Sequence, residues 1–143
     1  MCAREYLHPA GVHEPPEPYS HAVRCGDLLL MAGQVAFDAA GELVGPGDPE
    51  AQFRQVWANI RALVEAAGGT LADVVKVTYY LTDVRDIEAE LPLRRALFGR
   101  GRFPCATVVG VKELGRPDLL MEVDAWAVLP DRARASGGTG APA

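Results

Sequence analysis

The chain has 143 residues, of which 49% are apolar and 23% charged, with a formal net charge of −5; this is the balance of one soluble globular domain. No apolar run reaches the ~18–20 residues of a membrane span, and the acidic balance argues against nucleic acid, which needs a basic stripe. Cys2, Cys25 and Cys105 are odd in number and widely spaced, which suits neither a disulfide framework nor a zinc site and points to a reduced, cytoplasmic setting. The start, MCAREYLHP, has charge but no apolar core of a secretory signal.

In chain order, Arg4 to Leu7 is read as a short edge strand. Pro9 to Pro18 is a loop, because its four prolines can neither donate to a ladder nor sit inside a helix. Tyr19 to Cys25 is a strand, Gly26-Asp27 a hairpin turn, and Leu28 to Phe37 the next strand, in which Gly33 marks a bulge or a close backbone approach. Asp38 to Pro49 is loop. A helix then starts with Asp48 as N-cap and Pro49 at its first position. Phe53, Val56, Trp57, Ile60, Leu63, Val64 and Ala67 keep a helical period until Gly68-Gly69.

Val74 to Thr82 is rich in β-branched and aromatic residues and reads as a strand. Asp86 is a candidate cap for a second helix, which Pro92 would kink or restart. The arginines that follow (Arg94, Arg95, Arg100, Arg102) are read as a solvated face. Phe103 to Val111 and Leu119 to Leu129 are further strands, and Asp131 to Ala143 has the composition of a disordered tail. The result is one α+β domain over residues 1–130, ordered β-β-β-α-β-α-β-β, with helices on one face of a sheet. The second face carries apolar residues, Val108 and Trp126 among the candidates, and an apolar face without a covering layer implies self-association.

Taken together, PYSHAV (18–23), GDLLLMAGQVAFD (26–38), QVWANIRALVEAAGG (55–69), VVKVTYYLTDVRD (74–86), FPCATVVGV (103–111) and LLMEVDAWAV (119–128) resemble the Rid (YjgF) family. The resemblance implies a chorismate-mutase-like fold and a homotrimer with ligand sites between neighbouring subunits. It also implies hydrolysis of reactive enamines or imines derived from amino acids, with release of ammonia and a 2-keto acid. No organic cofactor is expected, because the sequence has no phosphate-cradling glycine motif. Glu122 matches the family's strand glutamate, which positions or activates water, and Tyr19 matches its pocket tyrosine. Gly33 and Gln34 match the end of its S-G-Q, whose serine is here Ala32. The arginine that grips the substrate carboxylate falls on Ala106, and the asparagine of the second helix falls on Leu91.

Glu122 is therefore the candidate acid/base, with Tyr19, Gly33, Gln34, Cys105, Ala106 and Thr107 as candidate substrate-binding residues. Asp124 and Trp126 share the face of Glu122 by strand alternation. Cys105 is read as a small pocket-lining hydrophobe in preference to a nucleophile, which would need a base within reach. His21 is read equally as a base and as a half-buried polar residue, and His8 and His13 as solvated loop residues. The histidines lack metal-ligand spacing, and no metal is expected. Arg102, Arg24 and Arg116 are candidates to replace the missing guanidinium. The expected function is enzymatic work on a reactive enamine, imine or activated carbonyl: hydrolytic deamination or a related tautomerisation, hydration or elimination. The alternatives are a non-catalytic binding or regulatory trimer and, less favoured, an endoribonuclease.

Overall fold

The computed structural model describes residues 2–130, so the C-terminal segment expected to be a tail lies outside the described residues. The six strands are β1 (Arg4–Leu7), β2 (Ala22–Cys25), β3 (Leu28–Gln34), β4 (Val74–Leu81), β5 (Cys105–Gly110) and β6 (Met121–Val128), and the helices are α1 (Pro49–Ala66) and α2 (Ile87–Phe98). The strands form one sheet in the order β1-β2-β3-β6-β4-β5. Only the edge pair β4–β5 is parallel; every other pair is antiparallel. The parallel pair is joined through α2, because parallel strands need a long crossover where antiparallel ones can use a tight turn.

The expected order of elements is the observed one, with shorter strands. Tyr19, Ser20 and His21 lie outside β2, and Val35 to Phe37 lie beyond β3. The two-residue hairpin at Gly26-Asp27 joins β2 to β3, with Gly26 at φ 65° and Cys25 paired to Leu28. Helix α1 begins as its sequence demands: the Asp48 carboxylate accepts from the Ala51 amide at 3.1 Å, and Pro49 occupies the first turn. Its other end is held by buried Arg24, whose guanidinium donates to the Ala67 carbonyl and, through Nε, to Gly26 at 2.8 Å. That cation sits where the helix dipole favours it.

Alternation along β6 divides the sheet. Met121, Val123, Ala125 and Ala127 are fully buried beneath the helices with Leu29 and Met31 of β3, Val77, Tyr79 and Leu81 of β4, and Phe53, Trp57 and Ile60 of α1. Glu122, Asp124, Trp126 and Val128 point the other way, and Trp126 and Val128 are each 47% exposed. Leu30 pairs with Trp126 and Leu28 with Val128, so the apolar character continues across the uncovered face. Val108 does not belong to it. Val108 pairs with core-facing Tyr79, so it shares the helix side, and it is exposed because β5 is the sheet edge.

The turn before α2 differs from expectation. Asp86 makes no side-chain capping bond; Asp83 instead caps a short 3₁₀ turn (Val84–Asp86) by accepting from the Arg85 amide at 2.9 Å. Pro92 lies inside α2 without ending it. The helix is anchored by fully buried Glu90, whose Oε1 accepts from Tyr79 Oη at 2.7 Å, Trp57 Nε1 at 3.1 Å and Arg94 Nε at 3.1 Å. Arg94 Nη2 is 2.8 Å from Oε2 but lacks hydrogen-bond alignment, so that contact acts through charge alone. The guanidinium also lies 4.7 Å from the Tyr79 ring centroid. Burial and the adjacent carboxylate raise the Tyr79 pKa, keeping the phenol a neutral donor.

Removing Glu90 strands three buried donors, one of them charged. Glu90→Ala is expected to cost about 3–5 kcal/mol of unfolding free energy, measured by urea denaturation, with Glu90→Gln costing less because it keeps an acceptor.

Candidate active site

A cavity of about 490 Å³ opens beside β3 and β6, within the range of small-molecule sites. Its walls come from the Pro-rich loop (His13, Glu17), the entry to β2 (Tyr19, His21), the end of β3 (Ala32, Gly33, Gln34), Glu122 on β6 and Arg116 on the loop before β6. Four of the candidates, Tyr19, Gly33, Gln34 and Glu122, thus line one cavity.

Gly33 is required by a close approach. The β3–β6 register shifts between Met31 and Gln34, as at a bulge, and the Glu122 carboxylate lies against the backbone there. A Cβ on Gly33 would stand 1.8 Å from Glu122 Oε1 and 2.6 Å from its carboxyl carbon. Glycine therefore makes the space that the carboxylate occupies. In that half-buried position desolvation, and secondarily the charge of Asp124, raise the Glu122 pKa above its usual 4.5. Asp124 is itself tied to β4, accepting from Tyr80 Oη at 2.9 Å.

His21 is a buried connector. Its Nε2 lies 2.5 Å from the His13 carbonyl oxygen and therefore donates, which leaves Nδ1 to accept from Gln34 Nε2 at 3.3 Å. Gln34 also donates to the Ala32 carbonyl at 3.0 Å. These bonds join the loop to β3, so of its two readings the geometry supports the polar structural one. Tyr19 packs edge-on against this ring, with centroids 5.7 Å apart. Burial, with the nearby charges of Glu17 and Glu122, raises the Tyr19 pKa and keeps its hydroxyl a donor at the cavity mouth.

His13 is not the solvated loop residue expected. It is half-buried, lines the cavity and packs on Gly41, where an added Cβ would stand 2.6 Å from its ring. Asn59 was not foreseen at all. Its amide donates to the Val35 and Phe37 carbonyls at 3.0 Å each, holding the chain beyond β3 against α1. The signal was present in its polar side chain within an apolar helical stripe.

Cys105, Ala106 and Thr107 lie elsewhere, on edge strand β5, with β4 between them and β6. The Cys105 thiol donates to the Val75 carbonyl at 3.2 Å, and Thr107 Oγ1 accepts from Lys76 Nζ at 3.0 Å. The three residues are exposed and do not line the cavity of their own chain. Among the described residues no group of three or more His, Cys, Asp or Glu is placed to hold a metal, and no helix is long and apolar enough to cross a membrane.

The model of the family described as Endoribonuclease L-PSP matches residues 12–129. The chain belongs to this family, the Rid (YjgF) family. It is 39% identical over 125 residues to a RutC family protein of Pyrococcus horikoshii, covering 87% of this chain and 97% of that one. It is 34% identical over 114 residues to the 2-iminobutanoate/2-iminopropanoate deaminase of Escherichia coli K12, covering 78% and 87%. Among solved structures, a Rid protein from Yersinia pestis superposes with a TM-score of 0.83 at 28% identity, over 89% of this chain and all of that one. The Escherichia coli YjgF gene product superposes with a TM-score of 0.79 at 31% identity, over 87% and 98%. The chorismate-mutase-like Rid fold and the imine-deaminase character of the family thus stand at family level.

The raised Glu122 pKa fixes the sign of a stability effect. A folded pKa above the unfolded one means that the native state holds this proton more tightly. The resulting stabilisation is full below about pH 4.5 and is lost as pH rises through the folded value. At pH 7 the ionised carboxylate is therefore a net burden on the fold. Glu122→Gln is expected to melt higher than the unsubstituted protein at pH 7, with the difference closing towards pH 4; scanning calorimetry across that interval measures it.

Proposed function

We propose that this protein hydrolyses a reactive imine, or the enamine in equilibrium with it, and that Glu122 carries the protons. The observation that supports this most is the Glu122 carboxylate seated in the space that Gly33 vacates, on the wall of a cavity of substrate size. The Escherichia coli relative named 2-iminobutanoate/2-iminopropanoate deaminase supplies the substrate class. For a 2-imino acid the balance is R–C(=NH)–COO⁻ + H₂O → R–C(=O)–COO⁻ + NH₃.

Water adds to the imine carbon while its proton passes to Glu122, which returns it to the nitrogen. The carbinolamine then collapses. Its hydroxyl proton follows the same route, the C–N bond breaks, and ammonia leaves. A carboxylate with a raised pKa suits both halves, because proton exchange is most effective when the group titrates near the working pH. The Tyr19 hydroxyl stands on the same wall as a neutral donor to the substrate. An RNA substrate is disfavoured by the net charge of −5 and by the two glutamates, Glu17 and Glu122, that line the cavity.

The complete site, in this reading, needs a second copy of the chain. The candidate residues fall in two groups, one at the β3–β6 cavity and one on edge strand β5. The apolar face bearing Leu28, Leu30, Trp126 and Val128 offers the surface on which copies associate as a homotrimer, each presenting its β5 to a neighbour's cavity. The backbone amides around Ala106 would then face the ligand.

Imines generated in situ by an amino-acid oxidase, with ammonia release followed directly, test the chemistry. Release is expected above the spontaneous rate, abolished by Glu122→Ala and strongly reduced by Gly33→Ala, which displaces the carboxylate. Absence of acceleration across small and large amino acids would end the deaminase reading. Trp126→Glu, which puts a charge into the proposed apolar interface, is expected to lower the assembly from trimer to monomer in light scattering and to reduce ammonia release with it.

A further inference from the structure

An imino-acid substrate brings a carboxylate, and that charge has to be received somewhere. The alanine at position 106 cannot do so. Of the three arginines that the sequence offers instead, Arg24 is buried and spent on the end of α1. Arg102 precedes β5 at the sheet edge and does not line the cavity of its own chain. Arg116 is the one lysine or arginine among the described residues that line the Glu122 cavity.

Three features hold Arg116 there. Its guanidinium carbon lies 5.0 Å from the ring centroid of Phe37, another residue of the cavity wall, and arginine stacks well on such faces. The loop just after it is pinned to α1 by fully buried Gln52, whose amide donates to the Asp118 carbonyl at 3.1 Å while its oxygen accepts from the Leu120 amide at 3.0 Å. A turn bond from the Leu119 amide to the Arg116 carbonyl, 3.3 Å, closes the segment around Pro117. Against this ordered backbone, the charge partner is loose: Nη2 is 3.4 Å from Asp118 Oδ2, with both side chains substantially exposed. Surface pairs of that kind contribute little, so exchanging Asp118 for a ligand carboxylate sacrifices little.

We propose that Arg116 receives the carboxylate of the substrate and so sets the specificity of this site for 2-imino acids. This rests on the imine-hydrolase reading for the identity of the ligand but makes a separate claim about binding. Held over Phe37 on the cavity wall, a planar guanidinium can offer a carboxylate two parallel hydrogen bonds. The charge also offsets the repulsion that an anionic substrate would meet from Glu17 and Glu122. Arg116 positions the substrate and takes no part in the proton transfers.

The test is equilibrium binding by the full chain of 2-oxobutanoate, the hydrolysis product of 2-iminobutanoate, and of its neutral primary amide, titrated by NMR. Arg116→Met, which keeps the contact with Phe37 but loses the charge, is expected to weaken oxo-acid binding by roughly 10- to 100-fold and to leave amide binding unchanged. Arg116→Lys should recover part of the loss, since it restores charge without the planar fork. Unchanged oxo-acid affinity in the methionine variant would overturn the proposal, as would equal affinity of the unsubstituted protein for acid and amide, or binding of neither. Arg116-dependent binding without ammonia release would leave this assignment standing and remove the hydrolase reading. Glu122-dependent ammonia release with Arg116-independent binding would do the reverse.

Discussion

Strand β6 meets two environments at once, and its period-two alternation links the core to the cavity. Paired to β3 on one side and β4 on the other, it cannot shift by one residue without turning Met121, Val123, Ala125 and Ala127 away from the helices. Burying those four side chains with the α1 stripe is the main apolar gain of the fold. The same register puts Glu122 on the opposite face, level with the irregularity in β3 where Gly33 leaves room. The position of Glu122, the proposed acid/base, is thus held by hydrophobic packing on the other side of the strand. A carboxylate that pays a desolvation cost stays in place because moving it would undo the core.

Buried polarity is used differently under α2. There Glu90 gathers donors from α1, β4 and its own helix, and its charge is matched by Arg94 one turn later. Replacing such a cluster with apolar side chains can be neutral or stabilising in other proteins. Here its acceptor geometry brings Trp57, Tyr79 and Arg94 to one point, fixing the rotation of a helix that has few apolar residues in the core and a proline in its middle. A short amphipathic face alone would define that rotation poorly. Glu90 and Glu122 therefore represent two ways to hold a carboxylate off the surface: Glu90 is fully buried against three donors and the Arg94 charge, and Glu122 is half-buried beside the backbone at Gly33, in a cavity that Arg116 also lines.

Much of this could be read from the sequence because its strongest signals are local. Asp48-Pro49 and the apolar stripe define α1 in one stretch of chain, and the alternation in MEVDAWAV separates the two faces of β6. Gly33 was visible as an oddity in a strand, although only the structure shows the Glu122 carboxylate filling the space. The misreadings lie where distant residues decide. Asp86 and Asp83 both offer caps, and the backbone selects Asp83 by forming a 3₁₀ turn first. His13 leaves solvent because Gly41 and Phe37 come to it. Val108 faces the helix side because its partner Tyr79 does. Arg116 stood in the sequence as one of three candidate cations, and it takes the fold to bring it to the cavity wall beside Phe37.

A carboxylate grip at Arg116 in place of β5 would change what the proposed assembly has to accomplish. On the family pattern that the sequence resembles, the guanidinium would stand on β5, outside the cavity of its own chain, so gripping a carboxylate and handling its protons would fall to different subunits. With Arg116 as the grip, the proposed charge recognition and proton transfer would share one cavity in one chain. In the proposed trimer the neighbour's β5, carrying the small Ala106 in place of a long cation, would contribute backbone amides and space. Space at that position would admit a bulkier side chain on a substrate whose carboxylate is held by Arg116 in place of a cation on β5. Selectivity for the acid group would follow from Arg116 and selectivity for the side chain from the subunit contact, two determinants that can vary independently while Glu122 and Gly33 remain as they are.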